Sequence, residues 1–308
     1  MSEPDAIDIC MRTLRVWPLP MPHYDSDKEV RGHILIVAGS REMPGAALLA
    51  ATAALRAGAG KLTLATAASS AQQIALALPE ARVIALAETA AGGFTMDAVR
   101  KLGELAGKAD ALLIGPGMQD EAATAELVHA LLPRFAGCKI ILDAAAMAVV
   151  RPPADPPLLA DTVDWEHFRF AEPVLLTPHA GELAHLSGAD KTRISGDPFG
   201  AAQRGAARWN AVLALKGALT VIAAPGGELW RHQGGNLGLA ISGSGDTLAG
   251  IIAGLAARGA ALEQAAAWGV ALHAAAGDQL ALRYGVLGYL AREISAEVPA
   301  LLRTLAPA

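Results

Sequence analysis

Apolar residues along this chain arrive in short continuous runs, each stopped by glycine, proline or a polar residue. Ile34-Leu35-Ile36-Val37-Ala38 ends at Gly39-Ser40, and such an unbroken run predicts a strand buried on both faces. The same reading predicts strands at 62–65, 83–86, 111–114, 140–142, 174–176, 212–215 and 220–223. Between them lie helical patterns. One covers 45–58, rich in Ala and Leu and stopped by Gly58 and Gly60, and others lie near 96–105 and 121–132. The last third reads as mostly helical.

Alternation of buried strands with helices predicts an α/β fold: a central, mostly parallel sheet with helices on both faces. We read one domain over 31–305, preceded by a lead-in segment, 1–30, that carries Pro18, Pro20, Pro22 and a charged run at 25–29. The stretch 151–172, broken by prolines and acidic residues, reads as a loop-rich interruption within that domain. No internal repeat is present. Ligands of such sheets sit beyond the carboxyl ends of the strands. Gly39-Ser40, Gly115-Pro116-Gly117, Asp143, Thr177-Pro178-His179 and Lys216-Gly217 each follow a predicted strand and so share one edge.

The most specific chemistry lies in GGNLGLAISGSGDTLAGIIAG, 234–254. Ser242-Gly243-Ser244-Gly245 runs into Asp246 and then into an apolar helix. Small residues before a helix start expose N–H groups to an anion, most often phosphate. Asp246 is either a helix cap or a carboxylate with a task beside that anion, such as taking a proton. The small residues before it, and a second glycine turn at Lys216, favour the task.

Composition narrows the partners. The 308 residues are 53% hydrophobic and 4% aromatic, with formal net charge -5. There is neither the basic stripe nor the aromatic platform that nucleic acid requires. No run forms a clean membrane span, and the first residues lack the order of a signal peptide. Cys10 and Cys138 form no ligand pattern; Cys138 reads as a buried thiol, and a reducing cytoplasm fits both.

Two familiar motifs are absent. Gly58-Ala59-Gly60-Lys61 lacks the first glycine and the final hydroxyl residue of a P-loop, so Lys61 reads as the start of a strand. Gly39 is not followed by a dinucleotide fingerprint. In LLTPHAGEL, 175–183, His179 reads as a ligand contact at a strand end, or the segment as a plain helix start capped by Thr177. The spacing His179, Glu182, His185 is a weak metal signal. Lys216-Gly217-Ala218-Leu219-Thr220 is either a hairpin turn with an exposed lysine or a phosphate wall of N–H groups, the Thr hydroxyl and the Lys charge. Asp143 caps the next helix or positions a metal ion or a water near phosphate; both stay open.

Together 38–62, IGPGM (114–118), ILDAAAM (141–147), LLTPHAGEL, LKGALTVIA (215–223) and 235–259 resemble the ADP/ATP-dependent NAD(P)H-hydrate dehydratases, of ribokinase-like fold. The resemblance implies that Lys216, Gly217, Ala218, Leu219, Thr220 and Gly245 bind the adenine nucleotide. It implies that Ala46, Gly117, His179 and Asp246 face the hydrated nicotinamide. Asp246 would be the base that activates the C6 hydroxyl for phosphorylation, with Gly243, Ser244 and Gly245 as the anion hole. ADP or ATP is the implied co-substrate, with Mg2+ and no assigned metal ligand. The resemblance also implies a separate NAD(P)H-hydrate epimerase as functional partner, a homotetramer and a cytoplasmic location. Three departures stand out. Ala145 replaces a second Asp common in the family, Leu237 replaces a proline, and Ala291-Arg292-Glu293 replaces an Ala-Ser/Thr-Asp segment. A small-molecule kinase of the same fold is the alternative reading, and a nucleotide-binding sensor is the non-enzymatic one. An intact Asp246 argues against the sensor.

Overall fold

Alternation within each buried run decides the layering. Ile34, Ile36 and Ala38 of the first run join one core, while Leu35 and Val37 join another. Ala111 and Leu113 divide from Leu112 and Ile114 in the same way. Each strand therefore needs apolar cover on both faces, and helices supply it. The computed structural model describes residues 5–21, 30–151 and 168–305.

In chain order the elements are β1 (Ile7–Asp8), α1 (Met11–Val16), β2 (His33–Val37), α2 (Pro44–Arg56), β3 (Lys61–Ala67), α3 (Ala71–Ala77) and β4 (Arg82–Leu86). Next come α4 (Asp97–Gly103), β5 (Ala111–Ile114), α5 (Glu121–Leu131), β6 (Lys139–Leu142), β7 (Val174–Leu176), α6 (Ala180–Ser187), α7 (Lys191–Gly196) and α8 (Pro198–Trp209). The chain closes with β8 (Ala211–Leu215), β9 (Leu219–Ala223), β10 (Leu229–Gln233), α9 (Ser244–Ala257), α10 (Leu262–Tyr284) and α11 (Ala291–Leu305). The described strands form one sheet, ordered β1-β10-β9-β8-β7-β6-β5-β2-β3-β4. Only β9 runs against its neighbours. The carboxyl ends of β2, β5, β6, β7 and β8 therefore lie along one edge, as expected.

The order reverses at β2: β3 and β4 extend to one side, β5 to β8 to the other. Such a switch point opens a crevice between the two strand ends. Here Gly39 N–H donates to the Pro116 carbonyl across it, at 2.7 Å. Helix α9 is buried along almost its whole length and lies on α2. Small residues make that approach possible: a Cβ on Gly250 would stand 2.2 Å from the Ala50 carbonyl oxygen, and one on Gly254 2.4 Å from that of Ala54.

Several elements go beyond the sequence reading. Strand β10 and helix α8 carry alternating or one-sided polarity that hid them. Part of the lead-in is built into the sheet. Ile7 and Asp8 pair with Trp230 and Arg231, Trp17 stacks on Trp230 at 5.7 Å, and Trp268 Nε1 donates to the Trp17 carbonyl. Lys61 opens β3, as read. Cys138 is partly buried, and burial pushes its thiol up to about 12. The charged run at 25–29 and most of the expected loop at 151–172 lie outside the described residues.

Candidate active site

The start of α9 is built by a glycine. Gly243 is the N-cap at φ +87°, a conformation only glycine adopts cheaply, and its open side meets Leu49 of α2 and Ala291 of α11. Asp246 is thus not the cap but the third residue of the helix. Ser244 N–H donates to the Ile241 carbonyl (3.2 Å) and Thr247 N–H to that of Gly243 (3.0 Å). The N–H groups of Gly243, Gly245 and Asp246 have no acceptor among the described residues. Three donors are therefore free, and the one at Ser244 is already committed.

Beside them stands Lys216, at the end of β8. Its Nζ is 3.5 Å from where a Gly245 Cβ would be, 3.1 Å from Asp143 Oδ1 and 3.9 Å from Glu182 Oε2. Burial alone would push the ammonium down, but Asp143, then Glu182 and Asp246, hold it above its ordinary value. The exposed lysine of a plain hairpin turn is thus corrected to a largely buried ion-paired one, because Asp143 and Glu182 both pair with it. Asp143 is buried and does not cap: its Oδ1 accepts from Thr177 Oγ1 at 2.6 Å and from Lys216. The Asp246 carboxylate accepts no hydrogen bond among the described residues. Burial, and then the Asp143 charge, push its carboxyl up to about 6, with Lys216 opposing and Glu182 adding to the rise.

His179, not Thr177, caps α6. Its Nδ1 accepts from the N–H groups of Gly181 (3.0 Å) and Glu182 (3.1 Å), while Glu182 Oε2 accepts from the His179 N–H. With Nδ1 an acceptor, the neutral ring carries its proton on Nε2. The weak metal spacing divides: Glu182 turns to Lys216, and His185 Nε2 lies 3.1 Å from both carboxylate oxygens of Glu121. Among the described residues, no set of three or more metal-ligating side chains converges.

A cavity of about 920 Å³ opens beside Lys216 and Gly245, lined also by His179, Gly217, Ala218, Thr220, Ser244 and most of the 232–241 stretch; Asp143, Glu182 and Asp246 lie behind its lining. Leu219 points away into the core. The Thr220 hydroxyl donates to the Gly217 carbonyl at 3.3 Å, so it shapes the turn. Ala46 and Gly117 form a separate wall, in the switch-point crevice. Gly117 has φ +65°, and a Cβ there would stand 2.5 Å from the Ala46 Cβ. Helix α2 joins the two walls, since Leu49, one turn beyond Ala46, covers Gly243.

The sequence reading missed part of the cavity. His232, Asn236, Val270 and His273 line it from β10, the following loop and α10. Asn236 holds that loop: its Oδ1 accepts from Gly238 N–H and from Tyr289 Oη, and its Nδ2 donates to Asp278 Oδ1. A Gly-Gly-Asn turn was the one available signal. Two of the departures touch the site: Leu237 lines the cavity, and Ala291 packs on Gly243 while its carbonyl accepts from Thr247 Oγ1 at 3.4 Å.

A family model described as NAD(P)H-hydrate dehydratase matches residues 34–300. An ADP-dependent (S)-NAD(P)H-hydrate dehydratase of Xanthomonas campestris pv. campestris is 47% identical over 305 residues, covering 99% of each chain. A bifunctional NAD(P)H-hydrate repair enzyme Nnr of Moorella thermoacetica is 41% identical over 289 residues; the match covers 93% of this chain but 52% of that one. This chain thus spans about half of the bifunctional relative. Among solved structures, an ADP/ATP-dependent NAD(P)H-hydrate dehydratase of Bacillus subtilis co-crystallised with ATP/Mg2+ superposes with TM-score 0.81 at 30% identity, covering 98% and 99% of the two chains. The arrangement is the ribokinase-like fold.

Proposed function

This chain belongs to the NAD(P)H-hydrate dehydratase family, and we propose that it restores (S)-NAD(P)H hydrate to NAD(P)H at the expense of ADP or ATP. The observation that carries this reading is the juxtaposition at α9: free N–H groups, a buried ammonium and a carboxylate poised near neutrality. Hydroxide is a poor leaving group, so the C6 hydroxyl is phosphorylated first. Asp246 takes the hydroxyl proton as the oxygen attacks the terminal phosphorus of the nucleotide. A P–O bond forms, the bond to the leaving AMP (or ADP) breaks, and Asp246 keeps the proton. The free N–H groups of Gly243, Gly245 and Asp246, with the Lys216 ammonium, stabilise charge on the transferring phosphoryl group. The ring-nitrogen lone pair then expels phosphate from C6, and loss of a C5 proton completes the dihydropyridine. Products are phosphate, AMP or ADP, and NAD(P)H.

The 216–220 turn and Gly245 hold the nucleotide, with the Leu219 side chain serving the core. Ala46, Gly117, His179 and Asp246 face the nicotinamide, where small residues leave room for a flat ring. Among the described residues no partner bonds Asp143 Oδ2 or Glu182 Oε1, so hard oxygen donors of the kind Mg2+ prefers remain beside Lys216. Mg2+ keeps much of its shell for water and phosphate. When bound, it would be held through those two carboxylates and would neutralise phosphate charge. The bifunctional repair relative supports an NAD(P)H-hydrate epimerase as functional partner. The proposal includes a homotetramer in the cytoplasm; two unpaired cysteines suit the latter, and no described helix is long and apolar enough to cross a membrane.

The test is incubation with NADH hydrate and ADP, or ATP, following the near-ultraviolet absorbance of the reduced cofactor. Recovery of that absorbance with stoichiometric phosphate release is expected. No recovery with either nucleotide, alongside stable phosphorylation of another alcohol, would replace the reading with a kinase.

A further inference from the structure

His273 lies on α10, is buried, and has no part in the chemistry above. Its Nε2 is 3.0 Å from Ser244 Oγ and 3.2 Å from the Ser244 carbonyl oxygen. A carbonyl can only accept, so its bond requires the tautomer with the proton on Nε2, while the Ser244 hydroxyl can serve either tautomer as donor or acceptor. Burial drives the imidazolium down to about 4, with Lys216 contributing, so the ring is neutral near pH 7.

What that donor grips is one end of a peptide unit. The Ser244 carbonyl and the Gly245 N–H belong to the same trans peptide plane and point in opposite directions. In α9 the carbonyl points along the helix and the N–H points back out of its start, where Gly245 has no acceptor and Lys216 stands beside it. A hydrogen bond on the carbonyl therefore sets the angle of the opposite N–H, and polarising the peptide strengthens that N–H as a donor. Besides the helix's own bond to the Ser244 carbonyl, other ties on this turn reach different units: Ser244 N–H goes to Ile241, and Thr247 Oγ1 to the Gly243 carbonyl at 2.9 Å. Among the described side chains, His273 alone donates to the Ser244–Gly245 peptide.

We infer that His273 is a positioning residue of the phosphoryl-transfer step, aiming and polarising the Gly245 N–H through the Ser244 carbonyl. This rests on the proposed function, because it presumes that phosphate arrives at Gly245. Its signature is a split between turnover and binding. The charge on the phosphoryl group grows in the transition state, so a misaimed donor costs more there than in the ground state.

The test compares wild type, His273→Leu and His273→Gln, all as full chains. Leu fills the space without a donor, whereas the Gln amide nitrogen reaches about as far as Nε2. Expected for His273→Leu is a kcat lower by on the order of tenfold to a hundredfold, with ADP affinity by calorimetry within about threefold of wild type. His273→Gln should recover most of the lost kcat. A kcat for His273→Leu within twofold of wild type, parallel losses of kcat and ADP affinity, or a Gln variant no better than Leu would each overturn the inference. Should the Leu variant not fold, the wild-type tautomer decides, read from long-range ¹H–¹⁵N correlations of the His273 ring. A proton on Nε2 supports the inference, and one on Nδ1 defeats it. Inactivity of the wild type on NADH hydrate would instead defeat the functional reading, and the tautomer measurement would still stand.

Discussion

Two helices begin at the same edge of the sheet, and their first turns are finished in opposite ways. Helix α6 closes on itself: His179 Nδ1 accepts from two N–H groups, and Glu182 reaches back to the His179 N–H. Helix α9 stays open: Gly243 offers no side chain, and the N–H groups of Gly243, Gly245 and Asp246 have no acceptor among the described residues. The closed start is a structural solution, with His179 Nε2 lying 3.6 Å from Glu182 Oε2. The open one holds its donors for something the chain does not supply. Glycine at the cap is what separates them, since any side-chain oxygen there would take the donors for itself. Lys216 links the two starts, 3.9 Å from Glu182 on one and beside Gly245 on the other.

The largest effect expected from disturbing this contrast comes from the open start. Asp246→Asn should lower turnover on the order of 10³-fold, because a general base is lost. ADP affinity, measured on the same preparation by calorimetry, should be kept or improved, since one negative charge leaves the phosphate site. The same substitution should stabilise the fold. The folded carboxyl titrates at about 6, above the roughly 3.9 of an unfolded Asp, so ionisation costs stability at pH above both values. Denaturation at pH 7.5 should therefore show a gain on the order of 2 kcal/mol that shrinks through pH 6 and vanishes below pH 4. An equal gain at pH 3.5 and 7.5 would remove the electrostatic explanation.

The closed start gives the smallest effect. His179→Ala should cost about 1 kcal/mol by removing the cap, and His179→Ser, an ordinary N-cap, should restore most of it. Denaturant midpoints of the three proteins check this. No loss in the Ala variant would mean that α6 does not depend on its cap.

Much of the fold was legible because the buried strands are unbroken apolar runs, and parallel strands put their carboxyl ends together. That rule located Asp143, His179 and Lys216 as neighbours-to-be although they are far apart in the chain. It could not say how they pair. The Thr177–Asp143 and Asp143–Lys216 bonds join residues 34 and 73 positions apart, and only the register of β6, β7 and β8 brings them into contact. Strand β10 escaped notice because LWRHQ lies near the sheet edge, with partly exposed residues that blur the apolar signal. The cap of α6 was misread for a local reason: Thr177 is the commoner capping residue, but its hydroxyl is taken by Asp143. His273 carried no signal at all, being one polar residue within a long Ala-rich helix whose partner lies 29 positions away.

The claim at the centre of this account is that burial and neighbouring carboxylates poise Asp246 as a base, and the intact enzyme can test it. The measurement is kcat/KM for NADH hydrate at saturating nucleotide from pH 4.5 to 8.5. The account predicts an acidic limb with an apparent pKa of about 6, activity falling as Asp246 takes up its proton. A profile flat down to pH 4.5 would contradict it.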